Sequence, residues 1–173
     1  SAEDLLGRDP VAPNSELVGK NITGRVVMVS GAGGSIGSEL CRQILSQNPS
    51  LLLLYDISES ALYEIHAELT AAAKNLQSKT KCIPILGSVQ HNWRLEATIN
   101  AFKVQTIYHA AAYKHVPLVE HNATQGIANN VFGTLTIARA ALRHVRIRVA
   151  SVCELPSAFL TRFGALPPLS QGH

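Results

Sequence analysis

Continuous apolar runs alternate with amphipathic segments between residues 25 and 110. Uninterrupted apolar runs are typical of parallel strands covered on both faces, and apolar residues at helical spacing are typical of the covering helices. The predicted strands are Val26–Val29, Leu51–Tyr55, Lys81–Leu86 and Val104–Ala110. The predicted helices are Ile36–Gln47, Ser60–Leu76 and Asn92–Phe102. This order predicts an α/β fold with a doubly wound parallel sheet and right-handed crossovers.

The length and composition suit one globular domain between two less regular ends. Of the 173 residues 46% are hydrophobic, which is enough for a sizeable core. Residues 1–24 are polar and broken by proline and glycine, so we expect an N-terminal arm or linker there. The domain is expected over residues 25–150, followed by a divergent tail over 151–173.

Several classes of protein are disfavoured by the same sequence. No apolar run approaches the roughly 20 residues that cross a bilayer, and three widely spaced cysteines fit a reducing compartment, so a cytoplasmic location is expected. The formal net charge of +3 is modest and the basic residues are scattered, which disfavours nucleic-acid binding. His115 and His121 lack a third partner at metal-ligand spacing, so no metal site is expected.

A glycine-rich turn follows the first predicted strand. Gly31, Gly34 and Gly37 fall at G-x-x-G-x-x-G spacing, with Gly33 between them, and the turn opens the first helix. Glycine permits a tight turn and close approach of a pyrophosphate, while free N–H groups at a helix start face phosphate oxygens. The pattern predicts a nucleotide-phosphate cradle, although a plain strand-to-helix turn would look similar.

Asp56 supplies a second signal, because it ends the second predicted strand about 20 residues after Gly37. A carboxylate there can bind the adenosine ribose hydroxyls and would repel a 2′-phosphate. No arginine lies between Asp56 and Lys74, so NAD is favoured as the cofactor, with NADP left open. The alternative is that Asp56 and Ser58 cap the next helix, and both roles can coexist.

Two later loops also lie where strands are predicted to end. Ser88, after the third strand, can touch an adenine edge or belong to a simple turn. After the fourth strand, Ala110–Ala112 would let a flat cofactor lie against the backbone. Lys114 can then neutralise phosphate or steer a hydroxyl, or it is a solvated surface lysine. His109 is expected to be a buried, hydrogen-bonded residue and not a ligand.

Together these motifs resemble the extended short-chain dehydrogenase/reductase superfamily, and most closely the nucleotide-sugar 4,6-dehydratases of polysaccharide biosynthesis. The matching segments are Glu3–Val11, Gly31–Leu40, Tyr55–Glu59, His109–His121 and Asn129–Thr134. The phosphate loop is typical of the superfamily, whereas Ala112-Tyr-Lys-His-Val-Pro117 is typical of the dehydratase branch. The resemblance implies a Rossmann-like fold that is incomplete at its C-terminal side.

The resemblance also implies roles for individual residues. The pyrophosphate would be held by Gly31, Gly34, Ser35, Ile36 and Gly37. The adenosine would be held by Asp56, with Ser58 beside it, and by Ser88 and Val89. The nicotinamide side would be lined by Ala110, Ala111, Ala112 and Lys114, with Asn130 helping to fix the cofactor. Lys114 and His115 would also contact the substrate.

The chemistry implied by the resemblance is conversion of a substrate like UDP-N-acetylglucosamine to a 4-keto-6-deoxy sugar nucleotide, with NAD used catalytically. The acid–base segments of the family, Ser/Thr-Thr-Asp-Lys and Tyr/Met-x-x-x-Lys, are not in this sequence, where Lys114 is the last lysine. The family pattern ends at about Leu142, and we name no catalytic residue. We expect a truncated or frame-shifted, inactive chain.

Two other functions stay open: a nucleotide-sugar epimerase of the same superfamily, and a non-catalytic NAD-binding module. The partner expected is a nucleotide sugar, and a homo-oligomer is left open. In many relatives the N-terminal arm leads to a membrane anchor, which the resemblance would place upstream of this domain.

Overall fold

The computed structural model describes residues 20–111, 130, 133–142 and 147–151. Within these residues the strands are β1 (Val26–Ser30), β2 (Leu51–Asp56), β3 (Lys81–Leu86), β4 (Thr106–His109) and β5 (Arg148–Ser151). The helices are α1 (Ser35–Ser46), α2 (Glu59–Asn75), α3 (Asn92–Phe102) and α4 (Thr134–Leu142).

All five strands join one parallel sheet in the order β3-β2-β1-β4-β5. The central strand β1 pairs with β2 on one side, Val26 opposite Leu51, and with β4 on the other, Val27 opposite Thr106. The chain therefore winds outward in two directions from β1, and the predicted doubly wound α/β fold is confirmed. In such sheets the crevice for ligands opens at the carboxyl ends of the strands where the winding reverses, here between β1 and β4.

The central strands are apolar throughout because the sheet has a core on each face. Successive strand residues point to opposite faces. Val27 and Val29 pack in one cluster with residues of α1 and α2, whereas Met28 packs in the other with residues of α3 and α4. These three strand residues are fully buried, so a polar side chain at any of their positions would have no contact with solvent.

Strand β3 differs because it lies at the edge of the sheet. Its residues are all exposed or half-buried, and Lys81 and Leu86 are both exposed. Pro84 lies within it, opposite Leu54. A proline cannot donate to a strand ladder, so it is tolerated at a sheet edge and would be costly in β1 or β2.

The sequence predicted the strand and helix positions more closely than their ends. Strand β4 is shorter than the predicted Val104–Ala110, since the Val104 N–H bonds to Ile99 O at the end of α3. Strand β5 was not predicted, although it pairs with β4 from Thr106 to His109. Ile22, which the sequence placed in the N-terminal arm, is 1% exposed and packs in the core of α1 and α2.

Candidate functional site

A cleft of about 250 Å³ opens at the carboxyl ends of β1, β2, β3 and β4. It is lined by Gly31, Gly33, Gly34, Tyr55, Asp56, Ile57, Ser58, Ala61, Gly87, Ser88, Val89, Ala110 and Ala111. Its walls are mostly backbone and small side chains, and Asp56 is its one charged lining residue among the described part of the chain. Such a surface suits a flat, partly anionic ligand whose phosphates meet N–H groups.

The turn after β1 needs glycine at two positions, Gly31 and Gly37, because a Cβ at either would clash with the backbone. Gly31 has φ +73°, and a Cβ there would lie 2.6 Å from the backbone N of Ala111. A Cβ at Gly37 would collide with the carbonyl oxygen of Gly31. The loop is thus pressed against the exit of β4 on one side and against the first turn of α1 on the other.

Gly33 and Gly34 lie side by side but differ in what surrounds them. A Cβ at Gly33 would lie 2.6 Å from the Cβ of Ala61, so the loop packs directly on the start of α2. A Cβ at Gly34 would meet only Gly31 O, at an ordinary 3.4 Å, and the residue has φ −70°. The fold leaves room for a side chain at Gly34, which lines the cleft and is exposed.

Helix α1 begins behind this loop with its first N–H groups facing the cleft end of the sheet. Gly34 is the N-cap and supplies no side-chain cap, and the first turn carries no acidic residue. The first N–H groups of a helix have no intrahelical acceptor. Ser35 is exposed, whereas the side chain of Ile36 packs against the core, so Ile36 would meet an anion through its backbone N–H.

The carboxylate of Asp56 is held by two backbone donors. Gly33 N–H donates to Oδ2 at 2.8 Å, and Ser58 N–H donates to Oδ1 at 2.9 Å. Ser58 is the N-cap of α2 and accepts from the N–H of Ala61. Asp56 therefore holds the glycine-rich loop through Gly33 and the start of α2 through Ser58 at the same time. Each carboxylate oxygen retains a further lone pair that can accept from a hydroxyl.

Tyr55 shapes the far end of the cleft from beneath. Its hydroxyl donates to Ser88 O at 3.1 Å, and a Cβ at Gly87 would collide with the oxygen of that hydroxyl. Burial raises the pKa of Tyr55, so it stays a donor at neutral pH. Ser88 Oγ accepts from Gln90 N–H at 3.2 Å. This loop is fixed with Ser88 and Val89 in the cleft wall.

His109, at the end of β4, is 4% exposed and bonded through both ring nitrogens. Nδ1 lies 2.7 Å from Ser30 Oγ, and Nε2 lies 3.0 Å from Thr134 Oγ1. Burial lowers the pKa of the imidazole to about 4, so the ring is neutral at physiological pH. His109 is a buried, hydrogen-bonded residue, as the sequence predicted.

The structure brings most of the predicted site residues together. Those that line the cleft are Gly31, Gly34, Asp56, Ser58, Ser88, Val89, Ala110 and Ala111. Ser35, Ile36 and Gly37 form the adjoining first turn of α1. Asn130 lies at the approach to α4, where its carbonyl accepts from Thr134. Ala112, Lys114 and His115 lie outside the described residues.

Sequence reasoning missed Gly33, Tyr55, Ile57, Ala61 and Gly87 as cleft residues. Each flanks a residue that was identified, or faces one across the loop. Ala61 carried one usable signal, since a small residue in the first turn of α2 permits the close packing that Gly33 makes. Tyr55 read simply as the last apolar residue of its strand, and only the fold shows its hydroxyl reaching Ser88.

Among the described residues, no helix has the length and apolar character needed to cross a membrane. Within that portion, no group of three or more His, Cys, Asp or Glu side chains is arranged to hold a metal ion.

Comparison with known proteins points to one family. Curated relatives include the capsular polysaccharide biosynthesis protein CapD of Staphylococcus aureus, 42% identical over 80% of this chain and 23% of the relative. They also include a UDP-N-acetylglucosamine 4,6-dehydratase (inverting) of Campylobacter jejuni, 25% identical over 68% of this chain and 33% of that protein. The chain thus spans a third or less of the length of these two relatives.

A solved structure of similar fold is the Bordetella bronchiseptica enzyme WbmG in complex with NAD and UDP. It is 24% identical with a TM-score of 0.57, over 72% of this chain and 36% of that one. The family model described as polysaccharide biosynthesis protein matches residues 27–153, which extends past Leu142 and includes β5. That match covers most of the chain, and it shows that the chain, with its glycine-rich loop and parallel sheet, belongs to the polysaccharide biosynthesis protein family.

Proposed function

We propose that the cleft binds NAD, with the pyrophosphate across the glycine loop and the start of α1. The observation that carries this proposal is the contrast between Gly33 and Gly34. The fold itself excludes a side chain at Gly33, but it tolerates one at Gly34, which lines the cleft. A bound pyrophosphate would account for glycine there, because its oxygens must approach the backbone closely.

The adenosine half is proposed to lie between Asp56 and the Gly87–Val89 loop. The carboxylate of Asp56 accepts from Gly33 and Ser58 and still has lone pairs for the ribose hydroxyls. A 2′-phosphate would bring a second negative charge against a carboxylate held in place. We therefore favour NAD over NADP.

We further propose that the domain serves a nucleotide-sugar 4,6-dehydratase acting on a substrate like UDP-N-acetylglucosamine. Family membership and the named activity of the Campylobacter relative support this choice. NAD, when bound, would supply a hydride acceptor and donor for the sugar. The described residues would bind and orient it: Gly31 to Gly37 at the phosphates, Asp56 at the ribose, and Ala110 and Ala111 as a flat wall.

The test of NAD binding compares Gly34→Ala with Gly33→Ala by calorimetric titration and urea unfolding. We expect Gly34→Ala to fold as the wild type and to weaken NAD binding about tenfold or more, or about 1.4 kcal/mol. Gly33→Ala should instead lower the free energy of unfolding by about 1–3 kcal/mol, since its Cβ meets Ala61. Unchanged NAD affinity in Gly34→Ala would move the ligand away from this loop.

The test of the reaction follows UDP-N-acetylglucosamine and NAD by mass spectrometry. A dehydratase removes one water from the sugar nucleotide, whereas an epimerase leaves its mass unchanged. For the 173-residue chain alone we expect no product, because the sequence contains neither Ser/Thr-Thr-Asp-Lys nor Tyr/Met-x-x-x-Lys. A dehydrated product from this chain would place the acid–base groups within Ser1–His173.

A further inference from the structure

A buried line of hydrogen bonds runs beneath the cleft from β1 to the start of α4. Ser30 Oγ lies 2.7 Å from His109 Nδ1, and His109 Nε2 lies 3.0 Å from Thr134 Oγ1. Thr134 Oγ1 in turn donates to the carbonyl oxygen of Asn130 at 2.7 Å. Ser30 and His109 are themselves opposite each other in the β1–β4 pairing.

The last bond in the line fixes the positions of the protons. The hydroxyl proton of Thr134 is used on Asn130 O, so Thr134 Oγ1 is the acceptor for His109 Nε2–H. A neutral imidazole has one N–H, so Nδ1 is an acceptor and Ser30 donates to it. The ring is therefore the Nε2–H tautomer, with each hydroxyl oriented by its neighbour.

These bonds join segments that also form the cleft wall. Ser30 precedes Gly31, and its carbonyl accepts from Ala110 N–H at 2.8 Å. Ala110 follows His109 directly and, with Ala111, lines the cleft. On the other side Gly133 precedes Thr134, and a Cβ there would lie 2.8 Å from Val89 Cγ2. A shift of the imidazole would therefore change the position of the Gly31–Ala111 contact relative to the start of α4.

We propose that His109 is a positioning residue for the dinucleotide, holding the Gly31 and Ala110–Ala111 wall in register with the start of α4. This inference rests on the proposed NAD site. The bonds that hold Asp56 and Ser88 do not pass through His109: the N–H groups of Gly33 and Ser58 donate to the Asp56 carboxylate, and Tyr55 donates to Ser88 O. The adenosine half of the site should therefore keep its geometry when the line is broken at Thr134.

The experiment uses Thr134→Val, which keeps the side-chain shape and removes the hydroxyl, and Thr134→Ser, which keeps the hydroxyl. Affinities for NAD and for AMP are measured on each variant of the 173-residue chain. We expect Thr134→Val to weaken NAD binding about five- to tenfold, because His109 Nε2–H loses its acceptor, with AMP affinity changed less than about twofold. Thr134→Ser should restore NAD affinity to within about twofold of the wild type.

A second measurement reads the tautomer directly, through the ¹⁵N chemical shifts of the His109 ring at neutral pH. The wild type and Thr134→Ser should show a protonated Nε2 and an unprotonated Nδ1. A protonated Nδ1 in the wild type, or equal weakening of NAD and AMP by Thr134→Val, would overturn the inference, as would an unchanged NAD affinity. A wild type that binds neither NAD nor AMP would refute the proposed function instead, while the tautomer result still decides the hydrogen-bond line.

Discussion

Asp56 shows how one side chain can serve the fold and the proposed ligand together. Its spacing from the glycine loop was readable from the sequence, and so was its place before the cap of α2. Its bond to Gly33, 23 residues away, was not, because the loop must first fold back over the end of β2. Residue type and spacing therefore predicted the position of the carboxylate, but not the donors that hold it.

The first prediction concerns Asp56→Asn. An amide has one acceptor oxygen and an NH₂ group, so it cannot accept from both Gly33 and Ser58. We expect the free energy of unfolding to fall by about 1–3 kcal/mol, because the N–H of Gly33 or of Ser58 would then face the NH₂ group of the asparagine and have no acceptor. The preference for NAD over NADP should narrow, since the negative charge is lost. Urea unfolding and calorimetric titration measure the two effects.

Glu59→Gln provides the matched control, since Glu59 is an exposed carboxylate in the first turn of α2. It removes a nearby charge and leaves the Asp56 bonds intact. Its cofactor preference should stay close to that of the wild type. Tighter binding of NADP than of NAD by the wild type would refute the role assigned to Asp56.

Among the elements, α1 and α2 are tied by an ion pair across their outer surfaces. Arg42 Nε lies 2.6 Å from Glu68 Oε1 and Nη2 lies 3.0 Å from Glu68 Oε2, while Nη1 lies 3.0 Å from Glu39 Oε2. The bond to Arg42 lowers the pKa of Glu68, although burial acts the other way. The contribution is therefore present above the ordinary pKa of glutamate and lost as pH falls through the lowered value.

The second prediction is that Glu68→Gln lowers the free energy of unfolding by about 0.5–1 kcal/mol at low salt, because the pair is half-exposed. The loss should shrink at about 1 M salt, where charges are screened within a few ångströms. Urea unfolding at both salt concentrations measures it. Glu64→Gln, an exposed glutamate of the same helix, is the control, and an equal salt-dependent loss there would remove the special role of Glu68.

Elements were predictable where a single local pattern decides them. The apolar runs of β1 and β2 and the helical spacing of α2 gave their positions within a residue or two, because both sheet faces are covered. Strand β5 carries no apolar run that would predict it, since Arg148 and Val149 are exposed. It forms through its pairing with β4. The exposure of β3 followed from its edge position, which the run Lys81–Leu86 does not reveal.

For the whole molecule, the buried His109 makes stability depend on pH. Its pKa is lowered to about 4 from an ordinary value near 6.5, so protons bind the unfolded chain more readily. The stabilisation is complete above pH about 6.5 and is lost as pH falls toward 4, amounting to roughly 3 kcal/mol over that window.

The third prediction follows: the free energy of unfolding of the wild type should fall more steeply between pH 6.5 and about 4 than that of His109→Gln, which cannot titrate there. Urea unfolding across this range measures both slopes. His91→Gln, at an exposed position before α3, should keep the wild-type slope. Parallel slopes for the wild type and His109→Gln would show that the imidazole does not titrate in this way.

The doubly wound parallel sheet, and a cleft at the carboxyl ends of its strands, were predictable because alternating strands and helices leave few ways for the chain to wind. The line from Ser30 to Thr134 was not. It joins residues 79 and 25 positions apart in the chain, and only the pairing of β1 with β4 brings them together. Long-range polar contacts of this kind carry no local pattern.

The two backbone bonds to Asp56 also bear on the entropy of binding. A carboxylate on an unrestrained strand tip samples several rotamers, and a ligand that selects one of them must offset the lost freedom, at about 0.5–1.5 kcal/mol for a rotamer-rich side chain. Here Gly33 and Ser58 have already selected the rotamer during folding. A ribose would meet an acceptor whose direction is already fixed. More of the free energy of each hydrogen bond would then contribute to affinity.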